Sequence, residues 1–284
     1  MISQDRVTSR ITHTRTGRAE VVAYIALGFI GAVILATLLA PVIAPYSPNA
    51  IDLQNILSPP GPRHLLGTDS VGRDVLSRLL YGARISLSGP AVVTFCSVVL
   101  GVPIGLAAGY RGGFVDSVIS RILDVVFSFP GLLLAIIIIA TFGSGLITAV
   151  GAISLGFVAV MARMVRNVTL AERERTYVEA CRVEGFSGLR IAFRHILPNI
   201  VPVIAAQATV YFGYALLDLA GLAFLGLGVQ PPSSDWGQML TTGRDDLALG
   251  AWWEVVSAAC AIGLTVIAVN LVGEFLGRKA GTQR

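Results

Sequence analysis

The chain has 284 residues, of which 54 % are apolar and only 13 % charged, and its mean hydropathy is +0.75. Water-soluble globules carry about a quarter charged residues, so this composition excludes a soluble domain and places the chain among membrane proteins. The formal charge of +4 comes from basic residues scattered between apolar segments rather than gathered in one patch, which argues against a nucleic-acid partner.

A bilayer core takes about 20 apolar helical residues. The first such run covers 21–44. It exceeds the roughly 7–15 residues of a secretory signal core and no small-residue cleavage site follows it, so it is expected to remain as an anchor. The second run, 85–110, lies between Arg84 and Arg111. Residues 125–162 carry no charge and, at about 1.5 Å per residue, overrun a single crossing. Phe142-Gly143-Ser144-Gly145 divides them into two helices joined by a tight turn. Residues 196–234 hold one charge, Asp218, and read as a helix with a Gly/Pro-rich exit; 255–273 is the last run. The expected fold is an all-α polytopic membrane protein with six transmembrane helices. Pro90, Pro103, Pro130, Pro202 and Gly213 inside these runs fit a bundle, where neighbours satisfy freed backbone groups.

With six spans both termini share a side. Of the 21 lysines and arginines, only Arg63, Arg73, Arg78, Arg84 and Arg244 fall on the other side, and the positive-inside rule places both termini in the cytoplasm. Trp236, Trp252 and Trp253 then lie at the outer face, as an aromatic belt. Two external segments, 45–82 and 229–250, and one internal loop, 163–198, remain for partner contact.

In that loop, residues 171–184 have high helix propensity, with Glu172–Arg175 and Arg175–Glu179 at supporting spacings worth about a few tenths of a kcal/mol each. Gly185 suits the left-handed turn that ends a helix, and Ser187 can cap a second short one. There Leu189, Phe193, Ile196 and Leu197 share one face, with Arg190 and Arg194 on another. Pro198 falls at the start of the next membrane helix. Periodicity alone fits a solvated amphipathic connector as well as a docking elbow.

The residues themselves add more. Glu179-Ala180-Cys181, three residues, Gly185, and then His195-Ile196-Leu197-Pro198 resemble the EAA loop of bacterial ABC-importer permeases, which runs Glu-Ala-Ala, three residues, Gly, nine residues, Ile, one residue, Leu-Pro. Cys181 replaces the second alanine, and His195 stands at the isoleucine position. Arg194-His195-Ile196-Leu197-Pro198-Asn199 matches the version found in the dipeptide, oligopeptide and nickel branch. Leu66-Gly67-Thr68-Asp69 with Gly72-Arg73-Asp74, Asp124 with Phe129-Pro130, and the run Leu225-Gly226-Leu227-Gly228-Val229-Gln230-Pro231-Pro232 are similar to further signatures of that branch. The tail departs, because the common Asp-Pro-Arg ending after Gly277 is absent. The resemblance covers about 67–277, most of the chain.

It implies a type I ABC importer permease fold, with a tail at 1–20, a first helix and external segment at 21–83, a permease domain at 84–277 holding the coupling loop at about 171–198, and a tail at 278–284. By resemblance, Glu179, Ala180, Cys181, Gly185, His195, Leu197 and Pro198 form the ATPase-coupling elbow, and Gly67, Thr68, Asp69, Gly72, Arg73 and Asp74 an external marker of the branch. The implied protein is a peptide-translocating subunit of the bacterial inner membrane, multi-pass, with no catalytic site and no cofactor of its own. Its implied partners are a second, homologous permease in a heterodimer, two cytoplasmic ATPases that bind ATP and Mg, and an extracytoplasmic binding protein. The lone lysine, Lys279, precedes Ala280, so a Gly-Lys-Ser/Thr nucleotide loop is missing from this chain.

Other readings remain open. The solute can be nickel or another small molecule, and a proton-coupled secondary transporter would use Asp124 or Asp218. An intramembrane charge costs at least about 2.5–3.5 kcal/mol on insertion scales, so Asp218 either lines the translocation path or bonds between helices. Asp124, Glu254 and Glu274 read as interfacial, Arg73 and Arg78 as snorkelling beside membrane-facing Leu76, Leu79 and Leu80. Gly213, Gly221, Gly226 and Gly228 read as a helix-packing face. Cys96, Cys181 and Cys260 are expected as small buried hydrophobes, and His13, His64 and His195 lack a second ligand at metal spacing.

Overall fold

The computed structural model describes residues 4–282, with side chains over 20–278; Arg284 and the side chains of Arg6, Arg10, His13, Arg15, Arg18 and Lys279 lie outside them. The helices in chain order are α1 (Gln4–Leu38), α2 (Ala40–Ile43), α3 (Val75–Arg111), α4 (Gly113–Phe127), α5 (Gly131–Phe142), α6 (Leu146–Arg173), α7 (Thr176–Val183), α8 (Gly188–Ile191), α9 (Leu197–Phe224), α10 (Trp236–Leu247) and α11 (Trp253–Thr282). A π-helical turn, Ala192–Ile196, joins α8 to α9. No strand occurs among the described residues.

Five segments are long and apolar enough to cross a bilayer: one each in α1, α3, α6 and α11, and one running from α8 through α9. The sixth crossing is broken, since α4 and α5 qualify only as a pair, bent by 81°. This sharpens the expectation of one helix from residue 125. Proline lacks an N–H and biases its predecessor away from helix, so the chain turns at Ser128–Pro130 and restarts with Pro130 as the cap of α5. The 12 residues of α5 rise only about 18 Å, less than a bilayer core. The expected break before α6 is present, with Gly143 and Gly145 at φ +94° and +153°.

The second crossing begins ten residues earlier than its apolar run, at Val75, because the Asp74 carboxylate caps α3 by accepting from Ser77 N–H at 2.8 Å. Helix α3 packs along α6 through Gly101, Gly105 and Gly109, one per turn. A Cβ added at Gly105 would lie 2.4 Å from the Ala162 carbonyl, and one at Gly109 2.7 Å from that of Arg166. Small residues let the two backbones close in, as membrane helices often do. The expected glycine face is different. Only Gly213 meets another helix, at Asn270 of α11; Gly221 is open, Gly226 turns at φ +76°, and Gly228 abuts Ala223.

Two ion pairs fasten α4 to α6: Arg166 grips both oxygens of Asp116, and Arg163 meets Asp124 at 2.5 Å with its guanidinium over the Phe127 ring. Helix α1 lies on α11 through Ala26, Ala268 and Val272. The alternation of crossings puts α7 and α8 at one end of the bundle, and the 44–74 segment with α10 at the other.

Candidate functional site: an elbow and a cap

At the elbow, residues 171–173 finish α6 rather than start a new helix, and α7 begins after a turn at Glu174 and Arg175. Helix α7 ends as expected. Gly185 adopts φ +79° with its N–H on the Arg182 carbonyl, while Phe186 N–H reaches the Cys181 carbonyl at 3.1 Å. Ser187 then caps α8, accepting from Arg190 N–H at 3.4 Å.

The buried face of α8 is not the expected one. Ile191, Ala192 and Ile196 are buried, whereas Leu189 is 63 % and Phe193 51 % exposed. In a π turn residues five apart stack, which brings Ile191 and Ile196 onto one side, together with Leu106, Met161 and Val165 of the core. Val178 and Cys181 join the same core from α7, leaving Glu179, Ala180, Gly185 and Val183 (89 % exposed) on the outside. Behind them His195 stacks on Phe186 at 5.6 Å, and Arg190 covers Phe186 at 4.3 Å. Leu197 packs on the core edge and Pro198 stays exposed in the first turn of α9. The elbow residues therefore divide into an outward surface (Glu179, Ala180, Gly185) and an inner seat, with Cys181 buried and His195 and Leu197 half-buried.

The opposite end is a folded cap. Gly67 and Gly72 both take left-handed turns, at φ +77° and +81°. A Cβ on Gly72 would fall 1.9 Å from the Asp52 carbonyl, and one on Gly67 2.7 Å from the Trp253 ring. Asp69, fully buried, accepts from Val71 and Arg73 N–H and pairs with the Arg73 side chain at 2.6 Å. Asp74 holds His64 at 3.0 Å as well as capping α3. Trp253 Nε1–H donates to the Thr68 carbonyl at 2.8 Å.

Several interfacial expectations fail here. Arg78 does not snorkel; it is 0 % exposed, with Nε 3.6 Å from Asp69 Oδ2 and Nη1 on the Pro48 carbonyl. Glu254 is buried too, accepting from Thr242 at 3.0 Å. Trp236 is buried and Trp253 half-buried, so only Trp252 is placed like a belt residue. Part of the cause is α10, a helix within the external segment 229–250. Asp235 caps it by accepting from Gly237 and Gln238 N–H, the Ser86 hydroxyl donates to Asp235 at 2.5 Å, and Trp236 Nε1 bonds the Leu79 carbonyl. Burial holds the Asp235 carboxyl above its usual range, offset only in part by the hydrogen bonds it accepts from Ser86 and the backbone. Asp-x-x-Gln before an apolar residue was a readable capping signal.

Asp218 is half-buried in α9 and makes no hydrogen bond or ion pair with another described residue. Asp124 and Glu274 are exposed and paired, with Arg163 and Arg278. Cys181 is buried, Cys96 half-buried and Cys260 exposed.

Residues 101–280 match the family of the binding-protein-dependent transport system inner membrane component. The chain belongs to this family. Residues 18–60 match the N-terminal TM domain of oligopeptide transport permease C. This importer permease is similar to the di/tripeptide transport system permease protein of Pseudomonas aeruginosa, at 41 % identity over 250 residues, 86 % of this chain and 82 % of that one. It is similar to the glutathione transport system permease protein of Escherichia coli O6:K15:H31, at 41 % over 263 residues, 92 % and 86 % of the two chains. Its fold is like that of a chain in the inward-facing MetNI methionine ABC transporter, with a TM-score of 0.59 at 22 % identity, covering 72 % of this chain and 96 % of that one. The importer permease is a transport subunit rather than an enzyme, and components of its family work with a further membrane subunit, an ATPase and a binding protein.

Proposed function

We propose that this chain is one of two related permeases in a heterodimer that carries di- or oligopeptides across the bacterial cytoplasmic membrane. The printed functions of its relatives, di/tripeptide and glutathione transport, favour peptide over nickel or another small solute. The basic residues favour placing the elbow and both termini in the cytoplasm, with the cap toward an extracytoplasmic binding protein. Two ATPase subunits bind ATP and Mg and drive the cycle. The residue ranges 21–83 and 84–277 serve as anchoring unit and permease domain, flanked by tails at 1–20 and 278–284. In this reading the Gly67–Asp74 motif faces the binding protein, and Asp218 faces the solute path or the second permease.

The observation that carries the reading is the outward surface at the elbow. Val183, Leu189 and Phe193 are exposed around Gly185, at the end of the bundle where a cytoplasmic motor would sit. Glu179, Ala180 and Gly185 form the docking contact, while Cys181, His195, Leu197 and Pro198 seat the elbow on its crossings. The test is co-purification. Gly185→Asp and Glu179→Lys should each release the ATPases while the permeases stay assembled; retention of the ATPases with normal uptake overturns the assignment.

A further inference from the structure

We propose that Glu172 is a positioning residue that makes the elbow and the two crossings flanking it move as one piece. The inference rests on the coupling reading above. Glu172 lies in the last turn of α6 and is only 3 % exposed, so it is placed to act within the chain rather than on a docking partner. Its carboxylate gathers groups from three segments. Tyr177, in the first turn of α7, donates its hydroxyl to Oε1 at 3.1 Å. Asn199, in the first turn of α9, donates Nδ2 to the same oxygen at 3.4 Å. Arg175, in the turn between α6 and α7, places Nε 3.1 Å from Oε2.

The other attachments of α7 are of a different kind. Val178 and Cys181 sit in the core by apolar contact, which is non-directional and tolerates sliding. Hydrogen bonds weaken steeply with angle, so a shared acceptor fixes register where apolar packing does not. Burial also holds the Tyr177 phenol above its usual range, which keeps the donor protonated. An acceptor-only group with two oxygens can serve hydroxyl, amide and guanidinium together, and Glu172 does so at the junction of α6, α7 and α9.

The test uses the complete transporter with Cys96, Cys181 and Cys260 replaced by alanine and spin labels at Arg182→Cys, exposed on α7 of the elbow, and Ile147→Cys, at the far end of α6. The label-to-label distance should be narrow and unchanged when ATP and vanadate trap the motor. Glu172→Ala should broaden or shift it in the trapped state with the ATPases still bound, and Glu172→Gln, which keeps Oε1 as an acceptor, should restore part of the narrow peak. Tyr177→Phe removes one donor without opening a cavity and should broaden the peak less, which decides the matter should Glu172→Ala not assemble. An unchanged narrow peak in Glu172→Ala, or in Tyr177→Phe where that variant must stand in, overturns the inference. Failure of the coupling reading shows separately, as ATPases retained by Glu179→Lys.

Discussion

Gly72 and Gly185 share a backbone conformation, φ +81° and +79°, and nothing else. Around Gly72 the chain closes so tightly that a methyl group would overlap the Asp52 carbonyl, whereas no atom lies within 4 Å of a Cβ on Gly185. The same contrast holds for buried charge, whereas both ends leave apolar side chains exposed, among them Ile51, Leu53 and Leu249 at the cap. The cap buries Asp69, Asp74, Arg78, Asp246 and Glu254 against its own groups; the elbow buries Glu172 and leaves Val183, Leu189 and Phe193 outside. One end of the bundle is locked by its own buried charges and tight turns, and the other leaves its left-handed glycine in open space, as the proposed docking requires.

Breaking the cap should have the largest effect. Asp69→Ala leaves the Arg78 charge buried without its carboxylate and should cost about 3–5 kcal/mol, read as a fall in the melting temperature of the purified permease. Gly72→Ala combines a left-handed residue with overpacking and should cost about 2–4 kcal/mol in the same measurement. Gly185→Ala meets only the backbone penalty, about 1–2 kcal/mol, and the protein should still assemble. Leu189→Ala and Phe193→Ala should change stability by less than about 0.5 kcal/mol. If the ATPases dock as proposed, losing either apolar side chain should cost about 1–3 kcal/mol of ATPase affinity in a binding titration. A stability ranking that placed the elbow variants above the cap variants would dissolve the contrast.

The two ends also differ in how much the sequence reveals. The crossings and the elbow follow from local signals: apolar length, Gly185 at a helix end, Ser187 as a cap, the glycine pair before α6. The cap depends on contacts between distant residues. Ser86 and Asp235 are 149 positions apart and Trp253 and Thr68 are 185 apart, and without those bonds Arg78 and Glu254 read as interfacial charges. Helix α10 and the Gly101–Gly105–Gly109 stripe were legible as a capping pattern and a small-residue repeat. The π turn before α9 was not, because a five-residue register leaves no mark in a 3.6-residue periodicity. Glu172 showed only its pairing with Arg175; Tyr177 and Asn199 reach it through the fold.

The central claim is that force enters an otherwise passive bundle from a motor docked at the elbow. The direct measurement is peptide accumulation in sealed vesicles holding both permeases and the ATPases, with binding protein on the cap side. Uphill uptake should appear only when ATP is supplied on the elbow side, and should vanish when the ATPases are left out. Accumulation against a gradient without them, driven by a proton gradient alone, would contradict the account.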